Sequence, residues 1–274
     1  MQKLYHYTSS ETLYKMFQYS IFTDQETRAR YLKMWATHIC YLNDETERKL
    51  FSDMLIKNII QYSELQGSSL TEDQRKEIKQ LCNTDTFIIS LSELQDDLNM
   101  WRGYGGNGIG VNIEFDLSHI TPYYSTSIPN HFKTEKVYKV HPCTYHKPED
   151  CKIEESLVRN IYTYITQTNH NSFMGATLIK QIEDLSTVYK HDAYQEEKEW
   201  RFIIDKSYPF KYIYSNRIIK PYIEFPIPLE AITAITIGPC IKSNYEIKSI
   251  EQFIKAQMGD PNFNVRYSKI PYRS

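Results

Sequence analysis

The sequence predicts an α+β protein in which one mixed β-sheet is interrupted by inserted helices. Strand-like segments lie at both ends of the chain, Leu4 to Tyr7 near the start and Ile232 to Ile237 late, whereas Ile153 to Tyr189 has helical periodicity. No internal repeat, low-complexity tract or Pro/Ser-rich linker divides the 274 residues. This order favours a single mixed sheet over a doubly wound parallel one, and we expect one domain over residues 1–274.

Two amphipathic helices are predicted in the first quarter of the chain. Ser9 or Ser10 can cap the first, whose buried face has the i, i+3, i+4 spacing of Leu13, Met16 and Phe17. The apolar stretch Tyr31 to Leu42 ends at the turn signal Asn43-Asp44. It leads into a second helix with the core candidates Leu50, Met54 and Ile56. The charged stretch Gly67 to Lys79 predicts a loop and a solvated helix.

The remaining strands follow from β-branched and alternating segments. Thr86 to Leu91 is bounded by polar residues and predicts a buried strand. A short helix around Asp96 to Tyr104 and a glycine-rich turn then precede the alternating strand Gly110 to Phe115. Three more strands are predicted in the last third of the chain, at Trp200 to Ile204, Tyr222 to Phe225 and Ile232 to Ile237.

Composition excludes several classes of protein. With 32 basic against 34 acidic residues, the chain has no overall field that attracts nucleic acid, so a polyanionic partner must use a local patch. The five cysteines form no CxxC pair and indicate reduced thiols in a cytoplasmic protein. The N-terminal segment lacks a signal-peptide pattern, and no stretch approaches the ~18 apolar residues of a membrane span, so we expect no membrane association.

The acidic run at residues 196–201, EEKEWR, is the first candidate site. It precedes a predicted strand, where alternate residues share a face, so Glu197, Glu199 and Arg201 are expected to point the same way. Two carboxylates beside an arginine can position a sugar hydroxyl and stabilise a cation at an anomeric carbon. The alternative is a solvated charged turn with an Arg-Glu salt bridge.

The segment LYHYTSS is the second candidate. It places His6 at a strand end beside a turn, where functional side chains concentrate. An imidazole there can hydrogen-bond a ribose hydroxyl, and Tyr7 can offer a stacking face to a flat heterocycle. A structural histidine is the alternative.

The segment WRGYGG at residues 101–106 combines large aromatic residues, an arginine and glycines. Its glycines permit close approach of the backbone to a ligand, and Arg102 can take a phosphate. The alternative is a helix C-cap in which Trp101 fills the core. The run that follows is no P-loop, because no Lys-Ser/Thr follows its glycines.

No metal site is expected. HPCTYH brings His141, Cys143 and His146 close to Cys151, but the spacing fits no zinc pattern. Glu196-x-Lys198 has the Glu-x-Lys form of a metal-dependent nuclease, but Asp192 lies too close upstream to occupy the preceding strand.

Five blocks between residue 4 and about residue 240 together resemble one widespread bacterial family of unknown function. They are LYHYTSS, the WATH to YLND-x-x-E stretch, IISLSE with WRGYG, YQEEKEWRF and ITAITIGP. By itself this resemblance implies no reaction.

The order of these parts is also similar to the ADP-ribosyltransferase superfamily, especially its DNA-targeting toxins and the RNA 2′-phosphotransferases. Those chains have an early strand with a histidine, a middle strand with serine or aromatic residues before a short helix, and a late strand with a catalytic glutamate. The matching positions here are His6 with Thr8, Ser90 and Ser92 before the Trp101-Arg102 helix, and Glu197-x-Glu199. The resemblance implies a sheet core of the ADP-ribosyltransferase type.

The same resemblance implies roles and a substrate. His6 would hold the nicotinamide ribose of NAD, Glu199 would polarise its 2′-hydroxyl and stabilise the oxocarbenium ion, and Glu197 would orient the acceptor. Tyr7, Tyr41 and Tyr104 compete as the residue that stacks on nicotinamide.

We therefore expect an NAD-consuming enzyme. It would transfer ADP-ribose to a nucleic acid or protein, or hydrolyse NAD, as a toxin or phage-defence effector with an antitoxin or defence-system partner. A phosphotransferase acting on RNA ends and a non-catalytic nucleotide- or nucleic-acid-binding module are the rival hypotheses.

Overall fold

The computed structural model of the protein describes residues 2–25, 28–42, 47–82, 86–120, 138–147, 149, 152–167, 172–204, 209–215 and 217–272. The predicted turn at Asn43-Asp44 and Cys151 lie outside these residues.

Strands and helices follow one another in an irregular order along the described chain. The strands are β1 (Lys3–Thr8), β2 (Ile21–Thr23), β3 (Arg30–His38), β4 (Phe87–Ser92), β5 (Val111–Asp116), β6 (Tyr138–Pro142), β7 (Thr144–His146), β8 (Tyr189–His191), β9 (Glu199–Ile204), β10 (Phe210–Ser215), β11 (Ile218–Pro228), β12 (Ile232–Ile237) and β13 (Val265–Tyr267). The helices are α1 (Ser10–Ser20), α2 (Glu47–Leu65), α3 (Glu72–Leu81), α4 (Leu98–Gly103), α5 (Glu155–Thr166), α6 (Ser172–Val188) and α7 (Asn244–Met258). Short 3-10 helices include Ile39–Tyr41 and Asp192–Glu197.

One large mixed sheet carries the fold, as predicted. Its main path runs β10-β11-β3-β4-β1-β5-β12-β13, and the neighbours on this path are antiparallel except for the parallel β12 and β13. The sheet branches at β4, which also pairs with β9, and β9 pairs in turn with β6. The strands β1, β4 and β9 are therefore adjacent although they come from the start, middle and late parts of the chain.

Two large hydrophobic clusters and a small one, made of Tyr5, Tyr7, Met100 and Trp101, lie among the described residues. The first lies between the sheet and helices α1 and α7, and it contains Leu13 and Phe17 as the sequence predicted. The second lies among α2, α3, α5 and α6, and it contains the predicted Leu50 and Met54. The segment Ile153 to Tyr189 thus forms two helices, and the predicted solvated helix is α3, which begins with a capping box made by Thr71 and Gln74.

Side-chain alternation fixes which face of the sheet becomes polar. In β4 the apolar residues Phe87, Ile89 and Leu91 belong to the sheet core. The register pairs Ser90 with Arg201 and Ser92 with Glu199 across β4 and β9, and paired residues share a face. The polar residues of both strands therefore point away from the sheet core.

Candidate active site

A cavity of about 200 Å³ lies where β1, β4 and β9 meet α4 and β8. Seven of the residues that the sequence analysis named as site candidates line it: His6, Tyr7, Ser90, Tyr104, Glu197, Glu199 and Arg201. The structure thus brings together side chains that lie as far apart in the sequence as His6 and Glu199.

Glu199 lies at the centre of a buried ionic network. Its Oε1 accepts a hydrogen bond from Nε of Arg201 at 3.0 Å, and its Oε2 accepts from a terminal nitrogen of the same guanidinium at 3.0 Å. Nζ of Lys190 donates to Oε2 at 2.7 Å. The side chains of Glu199, Arg201 and Lys190 are only 6%, 1% and 5% exposed. This geometry holds the carboxylate in one orientation.

The surrounding charges keep Glu199 ionised. Burial by itself would raise its pKa, but the charge and hydrogen bonds of Arg201, followed by those of Lys190, lower the pKa to about 2. A buried carboxylate of this kind is a fixed negative charge in a medium of low dielectric constant, where it acts more strongly than in water.

Glu197 also contacts Lys190, but it does not lie on the strand on which the sequence analysis placed it. It ends the 3-10 helix Asp192–Glu197 and does not belong to β9, which begins at Glu199. Lys198 between them adopts a left-handed conformation with φ 43°, and the chain turns there. Nζ of Lys190 donates to Oε2 of Glu197 at 2.6 Å, so one ammonium group bridges both carboxylates. The predicted alternation on one face holds for Glu199 and Arg201.

Two further contacts fix Glu197. The hydroxyl of Tyr104 donates to Oε1 of Glu197 at 2.7 Å, and Oγ of Ser92 donates to the main-chain carbonyl of Glu197 at 2.7 Å. Ser92 itself is 1% exposed and does not line the cavity. Its part in the site is to hold the turn that carries Glu197.

His6 has a defined tautomer. Its Nδ1 lies 3.1 Å from the carbonyl oxygen of Ser90, and because a carbonyl only accepts, Nδ1 carries the proton and donates. Burial lowers the pKa of His6 below its usual 6.5, against the opposing effect of this hydrogen bond. At neutral pH the imidazole is therefore uncharged, with Nε2 able to accept a hydrogen bond from a hydroxyl.

The three competing tyrosines occupy different positions. Tyr7 is buried, its hydroxyl donates to the carbonyl of Leu94 at 2.8 Å, and its ring meets Trp101 edge-on with centroids 4.9 Å apart. Tyr41 packs against His38, with centroids 5.7 Å apart, and does not line the cavity. Tyr104 lines the cavity and is 39% exposed, so it offers the most accessible ring of the three.

The remaining predicted residues lie outside the cavity. Thr8 is buried at the end of β1, and Trp101 is fully buried with its indole nitrogen donating to Asp96 at 2.7 Å. The guanidinium of Arg102 lies over the ring of Tyr272, 5.0 Å from its centroid. A Cβ at Gly105 would fall 2.5 Å from the Trp101 ring, so this glycine permits close packing of the loop on the tryptophan.

Sequence reasoning missed Lys190. It lies on β8, directly after α6, and its ammonium also lies over the ring of Tyr194, 4.8 Å from the centroid. No motif marks it, because a single lysine in a polar stretch is usually solvated. The nearness of two glutamates, seven and nine residues further on, is the signal from which a buried counter-charge could have been inferred.

A second cavity of about 210 Å³ adjoins the first. The two share Met100, Tyr104 and Glu197. The hydrogen bond between Tyr104 and Glu197 therefore lies at the boundary between the two cavities.

Residues of HPCTYH, for which no metal site was expected, make other contacts. The thiol of Cys143 points at Oε2 of Glu199 from 3.6 Å, and His146 stacks on Tyr189 with centroids 4.2 Å apart. Within the described part of the chain, no group of three or more His, Cys, Asp or Glu side chains is arranged to hold a metal ion. The helices of that part also include none with the length and apolar character needed to cross a membrane.

Comparison with known proteins matches part of the chain to a family model and gives no activity. Residues 100–202 match the family model described as a protein of unknown function (DUF2971), a segment that includes WRGYG and EEKEWRF. No curated protein and no solved structure matches the chain. The family resemblance found in the sequence is thereby confirmed for this segment. Residues 100–202 of the chain are therefore similar to the DUF2971 family of unknown function.

Proposed function

We propose that the protein cleaves the bond between nicotinamide and ribose in NAD and passes ADP-ribose to a macromolecule or to water. One observation carries this proposal. His6, Ser90 and Glu199, which the resemblance to ADP-ribosyltransferases assigns to the site, lie on the adjacent strands β1, β4 and β9 and line one cavity.

The ionised Glu199 supplies the main catalytic effect. Positive charge develops on the ribose as nicotinamide leaves, and a fixed carboxylate in a dry site stabilises that charge without reorganising. Lys190 and Arg201 hold the carboxylate in place and prevent its protonation. Nε2 of the neutral His6 accepts a hydrogen bond from a ribose hydroxyl, and the exposed ring of Tyr104 stacks on nicotinamide.

The size of the cavity suggests how NAD lies. At about 200 Å³ the first cavity holds one half of a dinucleotide, since most ligand pockets measure ~300–1,000 Å³. The adjoining cavity brings the space to roughly 400 Å³. We infer that binding opens the hydrogen bond between Tyr104 and Glu197, so that the second half of NAD enters there.

Incubation with NAD tests the proposal directly. The purified protein should release nicotinamide, measured by chromatography, and Glu199→Gln should lose that activity. Glu11→Gln is the control, because Glu11 is an exposed residue of α1 whose partner is Lys15. No release by the wild type with single-stranded DNA, RNA and protein each offered as acceptor would reject the proposal.

A non-catalytic nucleotide-binding module is the second candidate, and one observation favours it. The carboxylate of Glu199 already accepts three hydrogen bonds from Arg201 and Lys190. In a binding module this carboxylate would have the sole task of keeping the two cations in place. Binding of NAD in a calorimeter without any release of nicotinamide would select this alternative.

A further inference from the structure

The segment HPCTYH, residues 141–146, passes from the strand next to Glu199 to the strand next to Lys190. Its first part belongs to β6, whose register with β9 ends at Pro142, opposite Trp200. Its last part is β7, which pairs in parallel with β8, the strand of Lys190. The segment is therefore placed to contact both ends of the ionic network.

Two hydrogen bonds from this segment fix the main chain of Glu199. The amide of Cys143 donates to the carbonyl oxygen of Glu199 at 2.8 Å. The amide of Glu199 donates to the hydroxyl oxygen of Tyr145 at 2.7 Å. The phenol thus provides an acceptor for a buried amide just where the register between β6 and β9 has ended, and a buried amide without an acceptor is costly.

The same segment makes the two oxygens of the Glu199 carboxylate unequal. The thiol of Cys143 donates to Oε2 at 3.6 Å, in addition to the hydrogen bonds that Oε2 accepts from Lys190 and Arg201. Within the described part of the chain, Oε1 accepts one hydrogen bond, from Nε of Arg201. A carboxylate oxygen has about two lone-pair sites. Oε2 is therefore fully occupied, whereas Oε1 retains a site for a ligand.

Cys143 and Tyr145 lie behind the cavity wall. Cys143 is 7% exposed, and neither residue is among those that line the cavity with Glu199. Burial raises the pKa of the Tyr145 hydroxyl to about 12, so the phenol is neutral at pH 7. Any effect of these two residues on a bound ligand must therefore pass through Glu199.

We propose that Cys143 and Tyr145 are positioning residues, which orient Glu199 so that its Oε1 accepts a hydroxyl of the substrate. Arg201 and Lys190 keep the carboxylate ionised. Tyr145 fixes the main chain from which the carboxylate projects, and Cys143 helps to occupy Oε2, so that these contacts select the oxygen that meets the ligand. Under the proposed function, on which this role rests, the hydroxyl belongs to the nicotinamide ribose of NAD.

Matched variants separate positioning from packing. Tyr138→Phe is the control for Tyr145→Phe, because the Tyr138 hydroxyl also bonds the main chain, at 2.6 Å, and Tyr138 does not line the cavity. Cys82→Ala is the control for Cys143→Ala, because Cys82 is a buried thiol, 5% exposed, in the helical cluster. Each control removes the same atoms as its counterpart but leaves the carboxylate of Glu199 untouched.

The release of nicotinamide tests the role in the reaction. Tyr145→Phe should lower kcat by roughly two- to twelve-fold, the factor expected from one hydrogen bond, and leave KM almost unchanged because the cavity wall is intact. Cys143→Ala should lower kcat by a smaller factor, since a thiol is a weak donor, and Cys143→Ser should recover the loss because a hydroxyl also donates. Tyr138→Phe and Cys82→Ala should keep the kcat of the wild type.

Nuclear magnetic resonance provides a readout that needs no turnover of NAD. Hydrogen exchange at the amide of Glu199 should be faster in Tyr145→Phe than in the wild type, because that amide loses its acceptor, and unchanged in Tyr138→Phe. The carboxyl ¹³C resonance of Glu199 should shift in Cys143→Ala and return toward its wild-type position in Cys143→Ser.

The two measurements distinguish failure of this inference from failure of the proposed function. A wild type that releases no nicotinamide, with the expected changes in the spectra, rejects the proposed function and supports the orientation of Glu199 by this segment. Unchanged spectra in Tyr145→Phe and Cys143→Ala would overturn the inference, as would equal losses of kcat in the variants and their controls. Should Tyr145→Phe not fold, Cys143→Ala and Cys143→Ser decide by the same two readouts.

Discussion

Replacing Glu199 with glutamine should lower the free energy of unfolding by about 3 kcal/mol at pH 7. Burial raises the pKa of this carboxyl, but Arg201 and Lys190 outweigh burial, so the pKa falls from 4.5 in the unfolded chain to about 2 in the folded protein. Since a tenfold change in the ionisation constant corresponds to about 1.4 kcal/mol, this difference is worth about 3 kcal/mol. Loss of one partner from a buried ion pair typically costs about 3–5 kcal/mol, which agrees.

The pH dependence of this effect has a definite sign. A carboxyl whose folded pKa is lowered stabilises the fold fully above its unfolded pKa, and that contribution disappears as pH falls toward the folded pKa. The difference between wild type and Glu199→Gln should therefore decrease between pH 4.5 and pH 2, to about 1.4 kcal/mol near pH 3. Glu114 titrates in the same window, because burial raises its pKa but hydrogen bonds to Lys3, Thr233 and Arg266 lower it to about 2. The contribution of Glu114 to stability is the same in the wild type and in Glu199→Gln, so it cancels in the difference between them.

Urea unfolding followed by tryptophan fluorescence measures these free energies at each pH. Asp184→Asn is the matched control, because Asp184 pairs with Lys139 at 2.5 Å but both side chains are more than a third exposed. That variant should change stability by less than about 1 kcal/mol. A Glu199→Gln protein as stable as the wild type, or a difference that stays constant from pH 7 to pH 3, would refute the assignment of Glu199 as the anion of a buried network.

Three further predictions concern activity and the binding of NAD. Glu199→Gln should reduce nicotinamide release by roughly 10²–10³-fold. Glu197→Gln should leave hydrolysis of NAD intact and reduce transfer. If Glu199→Gln kept full activity and Glu197→Gln lost it, the roles of the two residues would be exchanged. Burial lowers the pKa of His6 below 6.5, so kcat/KM should decline only when the pH falls below 6.5. On lowering the pH, a decline that already begins above pH 7 would contradict an uncharged imidazole. Arg102→Lys should leave the affinity for NAD, measured by calorimetry, unchanged, because Arg102 lies over Tyr272 outside both cavities. A weaker affinity of this variant would instead support a contact between Arg102 and the pyrophosphate.

Much of the sheet could be predicted from its alternating or β-branched residues, although all six residues of β5 are buried, so that strand is covered on both faces. The strands β1, β4, β5, β9 and β12 all fall on segments predicted from alternation or β-branched runs. The hairpin of β10 and β11 was predicted only as Tyr222 to Phe225. In β10 the aromatic residues Phe210, Tyr212 and Tyr214 alternate with Lys211 and Ile213, of which only Lys211 is polar. The sequence therefore lacks the regular apolar–polar alternation that predicts a half-buried strand.

Part of the site could be predicted from motif order, and the rest depends on contacts between distant segments. His6, Ser90 and Glu199 each lie near the end or the beginning of a strand, and the order of their motifs was sufficient to group them. The order of the motifs did not predict the position of Arg102. Its guanidinium lies over the ring of Tyr272, which belongs to a C-terminal segment that no motif covers.

The ionic network explains why a local reading of EEKEWR suggested a solvated turn. Such a run is solvated unless another segment supplies a buried cation, and here the segment after α6 does so. Arg201 comes from the run itself, whereas Lys190 lies on β8, directly after α6. The carbonyl of Thr187, near the end of α6, also accepts a hydrogen bond from Arg201 at 2.6 Å. The carboxylates thus join the sheet to the helices that are inserted in it. A lysine and an arginine buried for stability alone bring little net gain over apolar residues, so the cost of burying them is better explained by the need for an ionised Glu199 at the cavity wall.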